Sequence, residues 1–508
     1  MRDVLRSPIL PFAALSIALL VWHEPWRDEA ETWLIARDSL GVGGFFHAMS
    51  YEGTPALWHL MLVPLAKAGL PFLAERVLHA GIAVASVCVL WFFSPFGRLE
   101  KWLIAFGYYT AYEYDAIARS YALFAFLLFV LLAVDYTRRE RPLRYAIVLA
   151  LLAQTNVHGL MVAGVFAAAF GLELLQGRVW TRRATMGAAV AAGGFLLAVM
   201  QLIPAHDLSP WLSAWHPSIY TPARSTLATF LPIPSLGQVF WDHSIFDPLP
   251  TAVKVVFAGL LLAASCWPMR HNVRVLSIYV AAAGALTMFF AVRYGGAAHH
   301  AGLVFLVFLA CTWLARTRPA DTVPLSQRLR ARWPTMPRAP KAVLSGLSWF
   351  LPVVLVVQVV GAAIAIERDA TGEFSAAGDV AAYLEAHRIL DGRTLVVVFQ
   401  TQSGMPVLAQ LHDPNVRFWF PDTGSLETFP HWSATWDAGR SMTLDDVLAS
   451  SDRAAPGYER VFLLQNEQVP ASSANATARL MPVASFGDHL VGNKEESYTL
   501  YLVRPASA

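Results

Sequence analysis

The sequence predicts a mostly α-helical membrane protein that crosses the bilayer about eleven times and ends in a soluble α/β domain. Three observations carry this. Of 508 residues, 56% are apolar and 15% charged, where a soluble chain carries roughly a quarter charged. Apolar runs of about 15–24 residues, of the length that spans a hydrocarbon core, recur from residue 8 to residue 366. Beyond residue 366, charged and polar residues return and the apolar runs shorten to strand length.

The long runs cover 8–22, 72–94, 101–114, 119–136, 144–158, 159–176, 184–204, 251–269, 274–293, 299–315 and 343–366. Basic residues gather in alternate gaps. Arg2 and Arg6 precede the first run, and Arg98 and Lys101 follow the second. Further on come Arg138, Arg139, Arg141 and Arg144, then Arg178, Arg182 and Arg183, then Arg270 and Arg274, and last the stretch from Arg316 through Arg328, Arg330 and Arg338 to Lys341. With a cytoplasmic N-terminus, the positive-inside rule places every one of these clusters inside. The assignment holds only if 55–69 does not cross. That stretch has Thr54 as N-cap, Pro55 at the first helical position, Pro64 within and Gly69 behind, and reads as an interfacial helix.

The first run follows two arginines as a signal peptide does, but no small-x-small cleavage site comes after it, so it reads as an uncleaved span. The runs 101–114, 144–158 and 159–176 are short and borrow length from their flanks. Cys88, Cys266 and Cys311 all fall inside apolar runs, which argues against a disulfide framework or a zinc site. A net charge of +2 gives no reason to expect nucleic acid as a partner.

Four regions then lie on the outer face: 23–71, 113–119, 205–250 and 367–508. The division that follows is an N-terminal transmembrane catalytic module (1–204), an outer loop (205–250), C-terminal transmembrane helices (251–366) and a soluble α/β domain (367–508). The loop 205–250 is rich in proline, tryptophan and histidine and is long for a connector, so it reads as a lid or as an aromatic cap on the membrane surface. In 367–508, Asp379 to Leu390 reads as a helix, and 394–399 and 497–503 as strands. Trp419, Trp432 and Trp436 are core residues there, with sugar stacking as the alternative.

The first outer loop concentrates acid beside tryptophan. Pro25 can open a helix and Gly41 can close it. Ala30, Trp33, Leu34 and Arg37 then share one face while Asp28 and Glu31 lie on another. This describes a helix lying on the membrane surface with its carboxylates turned from lipid. Acidic residues in a first turn also simply complement the helix dipole. Glu52, in YEGTP, is either a solvated loop carboxylate or a member of the same site.

The segment YEYDAIARSYAL (112–123) adds Glu113, Asp115 and Arg119 at a span end. An ionisable side chain within the membrane costs about 2.5–3.5 kcal/mol on insertion scales, so such groups usually serve a purpose. An Asp115–Arg119 pair at the water boundary is the alternative, contributing only a few tenths of a kcal/mol. Two carboxylate clusters on one face suit group transfer. One carboxylate can take the proton of an attacking hydroxyl, and another can hold a divalent cation against a phosphate leaving group. Arg119 and Arg293 are candidates to hold that phosphate, although Arg293 can equally snorkel to the interface. His158 closes the polar patch 154–158, either as a hydrogen-bonded turn or as a metal ligand. His299 and His300 read as structural.

These residues resemble the GT-C membrane glycosyltransferases, most closely the branch of protein O-mannosyltransferases and lipid A aminoarabinose transferases (glycosyltransferase families 39 and 83). Three motifs occur in order: Asp-Glu after the first span, then IARDSL, then YEGTPALWHL. They cover roughly residues 1–180, with only the architecture similar beyond. The resemblance implies a polyprenyl-phosphate sugar donor, transfer on the periplasmic or luminal face, and inversion at the anomeric carbon. It implies Asp28 as catalytic base with Glu29 its motif partner, and Glu113 and Asp115 as the acidic motif of the second loop. Arg119 and Tyr121 match an Ala-Arg-x-Tyr-Ala-Leu element. It leaves open a divalent ion (Mg, Mn or Zn), for which Glu52, Asp115 and His158 are the candidate ligands. The chain departs where a Lys-Pro-Pro turn is expected, since Gly53-Thr54-Pro55 lacks the lysine and one proline.

The function expected is therefore inverting transfer of a sugar from a polyprenyl phosphate to an envelope glycan, lipid or protein, in a bacterial inner membrane. Two other classes compete with it. A polyprenol-lipid flippase or transporter would place its charges near mid-membrane in broken helices, whereas here they gather at the outer boundary. A membrane-anchored binding protein would do its work in 367–508 alone.

Overall fold

A bend of 87° sets the layout of the chain. The first apolar helix, Ile9–Trp22, ends at His23, whose N–H still reaches the Leu19 carbonyl at 3.0 Å. The next helix, Arg27–Asp38, leaves almost at right angles. Its start is fixed by Glu29, whose carboxylate accepts the Trp26 N–H at 3.1 Å as the far half of a capping box. The expected opening at Pro25 is thereby moved to Arg27. Gly41 does not close this helix. It adopts a φ of +64° and begins the next one, Gly41–Glu52, a left-handed turn that glycine makes without strain.

The computed structural model describes residues 6–178, 180–293, 297–321, 331–332, 341–466, 474–492 and 494–505. Arg2, Arg328, Arg330 and Arg338 of the basic clusters lie outside the described residues. Among the described residues, seven helices are long and apolar enough to cross a membrane. They are Leu73–Phe93, Val157–Gln176, Arg182–Gln201, Thr251–Met269, Val273–Val292, His299–Thr317 and Phe350–Thr371, each overlapping an expected run and several reaching one to five residues beyond its bounds. Ser120–Asp135 and Pro142–Ala153 are apolar but shorter, so length alone does not establish the expected eleven crossings.

The run 101–114 is not one helix. Arg98–Ala105 stops before Gly107, and Tyr109–Glu113 forms a single π-helical turn. The boundary between 144–158 and 159–176 lies at Asn156, whose side chain accepts the Gly159 N–H at 2.8 Å and starts the helix Val157–Gln176. Ala298–Thr317 lies at the centre of the bundle, with 83% of its span buried. A helix so placed packs against other helices rather than lipid.

The segment 205–250 is more than a loop. Tyr220–Phe230 is a helix packed against Thr251–Ser265, Val273–Val292 and Ala298–Thr317. The chain after it, from Leu231, is pinned to the last span. Gly361 there lies so close that a Cβ would meet the Pro232 carbonyl oxygen at 2.1 Å.

The C-terminal domain is an α/β unit around a six-stranded sheet of order β3-β2-β1-β4-β6-β5. The strands are Thr394–Phe399, Phe418–Phe420, Ser425–Glu427, Arg460–Asn466, Leu480–Phe486 and Tyr498–Val503. The central strand β1, TLVVVF, is buried throughout and runs parallel to β2 and β4. Its β-branched, fully apolar composition is what a strand covered on both faces requires. The expected helix Asp379–Leu390 appears as Ala377–Ala386. The domain sits on the helix Arg27–Asp38, which packs under Met405–Gln410 and beside Leu57–Lys67. That helix is buried from Glu29 through Ala36, so it does not lie on lipid as expected. Protein covers both its apolar stripe and much of its acidic one.

Replacing Gly361 by alanine forces the loop after Leu231 off the last span, an overpacking that costs about 1–3 kcal/mol. We expect Gly361→Ala to lower the melting temperature of the detergent-purified protein. Gly259→Ala, where a Cβ meets nothing within 4 Å, serves as the control and should leave it unchanged. Equal melting temperatures for the two variants would refute the close packing.

Candidate active site

Glu29 is the hub at the end of the bundle that carries the soluble domain. It is fully buried. One carboxylate oxygen accepts the Trp26 N–H and stands 3.3 Å from His23 Nε2. The other accepts the Ala118 N–H at 2.7 Å. A single side chain thus ties the first span's end, the start of the next helix and the segment 113–119. Across the His23 ring, Nδ1 stands 2.8 Å from Asp369 Oδ2 at the end of the last span, and Tyr112 donates to the same oxygen at 2.9 Å.

The charge states follow from these contacts. Burial alone would lower the His23 pKa, but Asp369 and Glu29 outweigh it and raise it to about 10. Burial alone would raise that of Glu29, but the charge and hydrogen bond of His23 outweigh it and lower it. The result is a buried imidazolium between two carboxylates.

Fixing Ala118 fixes its neighbour. Arg119 NH1 lies 2.6 Å from Asp28 Oδ2, and Arg27 Nε stands 3.5 Å from Oδ1 of the same side chain. Asp28 keeps 25% of its side chain exposed, so it faces a wet space while Glu29 does not. Around this pair stand Glu31 and Glu52, which lie beside each other and beside the Trp432 side chain of the soluble domain. Burial first, then the Asp28 charge, raises the Glu52 pKa to about 7. Burial and the charges of Glu52 and Asp28 push Glu31 well up. Buried carboxyl groups this close to each other and to Asp28 resist ionising together.

The soluble domain is clamped over the site. Arg27 pairs with Glu495, and its backbone N–H donates to Glu496 at 2.8 Å. Glu24 accepts the N–H groups of Phe374 and Ser375 at 2.6 and 3.3 Å. The backbone N–H of Ser209 donates to the Trp432 carbonyl at 2.9 Å, and the His431 ring stacks on Tyr51 at 4.9 Å. Trp432 packs at the edge of the hydrophobic core, as expected, and also lies beside Glu31 and Glu52.

Of the residues expected from the sequence, Asp28, Arg119 and Glu52 come together, and Glu29 supports them from behind. Asp115 does not join them. It is buried and accepts the hydroxyl of Ser16, in the first span, at 2.8 Å, and no Asp115–Arg119 pair appears among the ion pairs of the described residues. Glu113 accepts from Tyr108 at 3.1 Å and from Trp241 at 3.4 Å, with His299 Nδ1 4.0 Å away. Arg293 is held by the Ala214 carbonyl, in the loop 205–250. His158 is buried against Phe289, Phe290 and His300. Glu52, Asp115 and His158 thus do not form a ligand set, and no group of three or more His, Cys, Asp or Glu side chains among the described residues is placed to hold a metal.

Sequence reasoning passed over Glu31, His23, Asp369 and Trp432 as site residues. Glu31 had a signal, three residues beyond Asp28 and on its face of the helix. The other three are brought in by folding from either end of the chain, and nothing in their local sequence marks them.

No family model matches the sequence, and no curated protein does. Among solved structures, ArnT from Cupriavidus metallidurans bound to undecaprenyl phosphate superposes with a TM-score of 0.52 at 13% identity, over 97% of each chain. The apo state of that protein gives 0.52 at 14% identity, again over 97% of each. The arabinofuranosyltransferase AftD from Mycobacteria gives 0.46 at 14% identity, over 98% of this chain and 40% of that one. The chain thus has the fold of ArnT, from the first span to the soluble domain.

A His23 pKa raised from its ordinary value of 6.5 to about 10 stabilises the fold fully below pH 6.5. That stabilisation is lost as pH rises through 10. We expect the melting temperature of the purified protein to fall between pH 7 and pH 10, and His23→Gln to flatten that fall while lowering the value at pH 7. A fall of the same steepness in His23→Gln would show that another group causes it.

Proposed function

We propose that the chain is an inverting glycosyltransferase that moves a sugar from a polyprenyl-phosphate donor to a hydroxyl acceptor, with Asp28 as general base. The observation that carries this is the Asp28–Arg119 pair, a partly exposed carboxylate and a guanidinium 2.6 Å apart, both set by the buried Glu29. The fold supports it, since ArnT, the similar structure, is one bound to undecaprenyl phosphate.

In this reading the donor phosphate engages Arg119, which forms strong charge-assisted hydrogen bonds with phosphate oxygens. Asp28 is then released from its ion pair and accepts the proton of the acceptor hydroxyl as that oxygen attacks the anomeric carbon. The bond from the anomeric carbon to the phosphate oxygen breaks. Its electron pair leaves with the polyprenyl phosphate, whose charge Arg119 meets. One displacement inverts the anomeric centre. Glu29 touches no reacting atom and acts as a positioning residue. The acceptor is an envelope glycan, lipid or protein on the periplasmic face of a bacterial inner membrane, the face assigned by the basic clusters.

Asp28→Asn should insert and melt as wild type but release polyprenyl phosphate from labelled polyprenyl-phosphate sugars, in membranes supplying the acceptor, about 100-fold more slowly or worse. Arg119→Ala should chiefly weaken the stabilisation that added polyprenyl phosphate gives in a melting assay. Wild-type turnover by purified Asp28→Asn would reject the base assignment.

Protonation of the Glu31–Glu52 pair tunes donor binding. With Glu52 at about 7, raising the pH from 6 to 8 adds negative charge beside the phosphate position. The KM for the donor should rise over that range, and Glu52→Gln should remove most of the rise. An unchanged pH profile in Glu52→Gln would place the titrating group elsewhere.

A further inference from the structure

The segment that opens the loop 205–250 is tied at both ends. Its first residues are fastened beside the soluble domain. The Ala205 N–H donates to the Ser50 carbonyl at 3.0 Å, and the Tyr51 hydroxyl donates to Asp207 at 2.7 Å. Leu208 then pairs antiparallel with Ser433 of the soluble domain, and the Ala434 N–H donates to the Asp207 carbonyl at 2.7 Å. The Trp211 N–H donates to Asp437 at 3.3 Å, and the Arg440 guanidinium lies over the Trp211 ring at 4.9 Å.

A few residues on, the same strap is fastened to the transmembrane bundle. An α-helix leaves its last carbonyls without intrahelical partners. For Val273–Val292 the strap supplies them. The His216 N–H donates to the Val292 carbonyl at 3.1 Å and the Ser218 N–H to the Ala291 carbonyl at 2.8 Å. Arg293 in turn donates to the Ala214 carbonyl. These bonds set the height of Trp215 and Ile219, level with the last turn of an apolar span. Only 39% of that span is buried, so the rest is surface for lipid. Met288, about one helical turn deeper, is 62% exposed. Trp215 and Ile219 each keep 70% of their surface exposed.

We propose that Trp215 and Ile219 enter the interfacial zone of the bilayer, so that residues 205–219 anchor the soluble domain to the lipid surface. An indole, with an apolar body and one polar N–H, is favoured at that depth. Ile219 has no polar atom on its side chain and gains only from an apolar surrounding. The patch continues the exposed apolar surface of the span to which the strap is bonded, which argues for lipid over a protein partner. From Leu208 to Tyr220 the chain holds no lysine, arginine, aspartate or glutamate. The contact is therefore apolar insertion, without the preference for anionic headgroups that basic residues confer. The strap also carries the Ser209 N–H that holds the Trp432 carbonyl, so what steadies it in lipid steadies Trp432 beside Glu31 and Glu52. The anchor stands apart from the transfer chemistry, and either can fail while the other holds.

Hydroxyl-radical footprinting of the unmodified full chain, in nanodiscs of zwitterionic lipid, tests the insertion. Trp215 should be oxidised far more slowly than Met481, an exposed side chain on the strand Leu480–Phe486 of the soluble domain. Adding anionic lipid should leave that protection unchanged. The double variant Trp215→Ser with Ile219→Ser removes no buried side chain, so it should melt as wild type in detergent. In nanodiscs its backbone amides at 208–218 should exchange about tenfold faster than those of wild type, because the strap opens locally without its lipid contact. Oxidation of Trp215 as fast as Met481 overturns the proposal and leaves the patch to water or a protein partner. Protection that appears only with anionic lipid, or unchanged exchange in the double variant, overturns it as well.

Discussion

The buried carboxylate of Glu29 is the constraint on which the rest depends. It accepts hydrogen bonds from Trp26 and Ala118 and pairs with His23. Each of these partners belongs to a different piece of the outer structure. A buried anion with this many partners has no comparably stable alternative arrangement, because leaving any of them unpaired carries a desolvation penalty. The consequence reaches one residue further on each strand of the knot. Asp28 precedes Glu29 and Arg119 follows Ala118, so placing the pair Glu29–Ala118 places the pair Asp28–Arg119. The adjacent acidic residues in the sequence thus divide one task, with one side chain buried to fix geometry and the other left wet beside it.

The soluble domain is part of the same knot rather than an appendage. Asp369, where the last span ends, completes the pairing of His23, and Glu495 and Glu496 hold Arg27. Trp432 reaches the Glu31–Glu52 pair from above. Removing the domain would expose the helix Arg27–Asp38, whose long buried stretch no lipid contact explains.

What could be read from the sequence was what repeats or what is local. Spans announce themselves by length and apolarity, and each of the seven qualifying helices overlaps a run marked out beforehand, with ends shifted by up to five residues. The strand TLVVVF was visible as a strand, and the clustered acids marked the first loop. The failures have physical reasons. Pro25 and Gly41 are ordinary helix punctuation, but the capping bond to Glu29 and the positive φ of Gly41 overrode them. The helix Arg27–Asp38 has the pattern of a membrane-surface helix, and a face covered by protein needs the same apolar residues as one covered by lipid. Asp115 resembled a site carboxylate, because a burial satisfied by Ser16 from another span leaves no local trace. His23, Asp369 and Trp432 were unreadable for the same reason.

The departure at the turn after the second outer helix narrows where a phosphate can be met. Where the resembling family carries a lysine, Gly53 closes the helix Gly41–Glu52 with a φ of +61°. A lysine in that left-handed conformation would cost roughly 1–2 kcal/mol, so this turn is shaped for glycine and offers no side chain. Arg293 is committed to the Ala214 carbonyl in the loop 205–250, and Arg27 to Glu495 and Asp28. On the proposed reading Arg119 therefore carries most of the phosphate contact, surrounded by three carboxyl groups. An anion approaches such a place only if some of that negative charge is neutralised. Burial and the repulsion of Asp28 do this by favouring the protonated forms of Glu31 and Glu52. The acidic residues that would repel the donor are thus held by their own burial in the form that tolerates it.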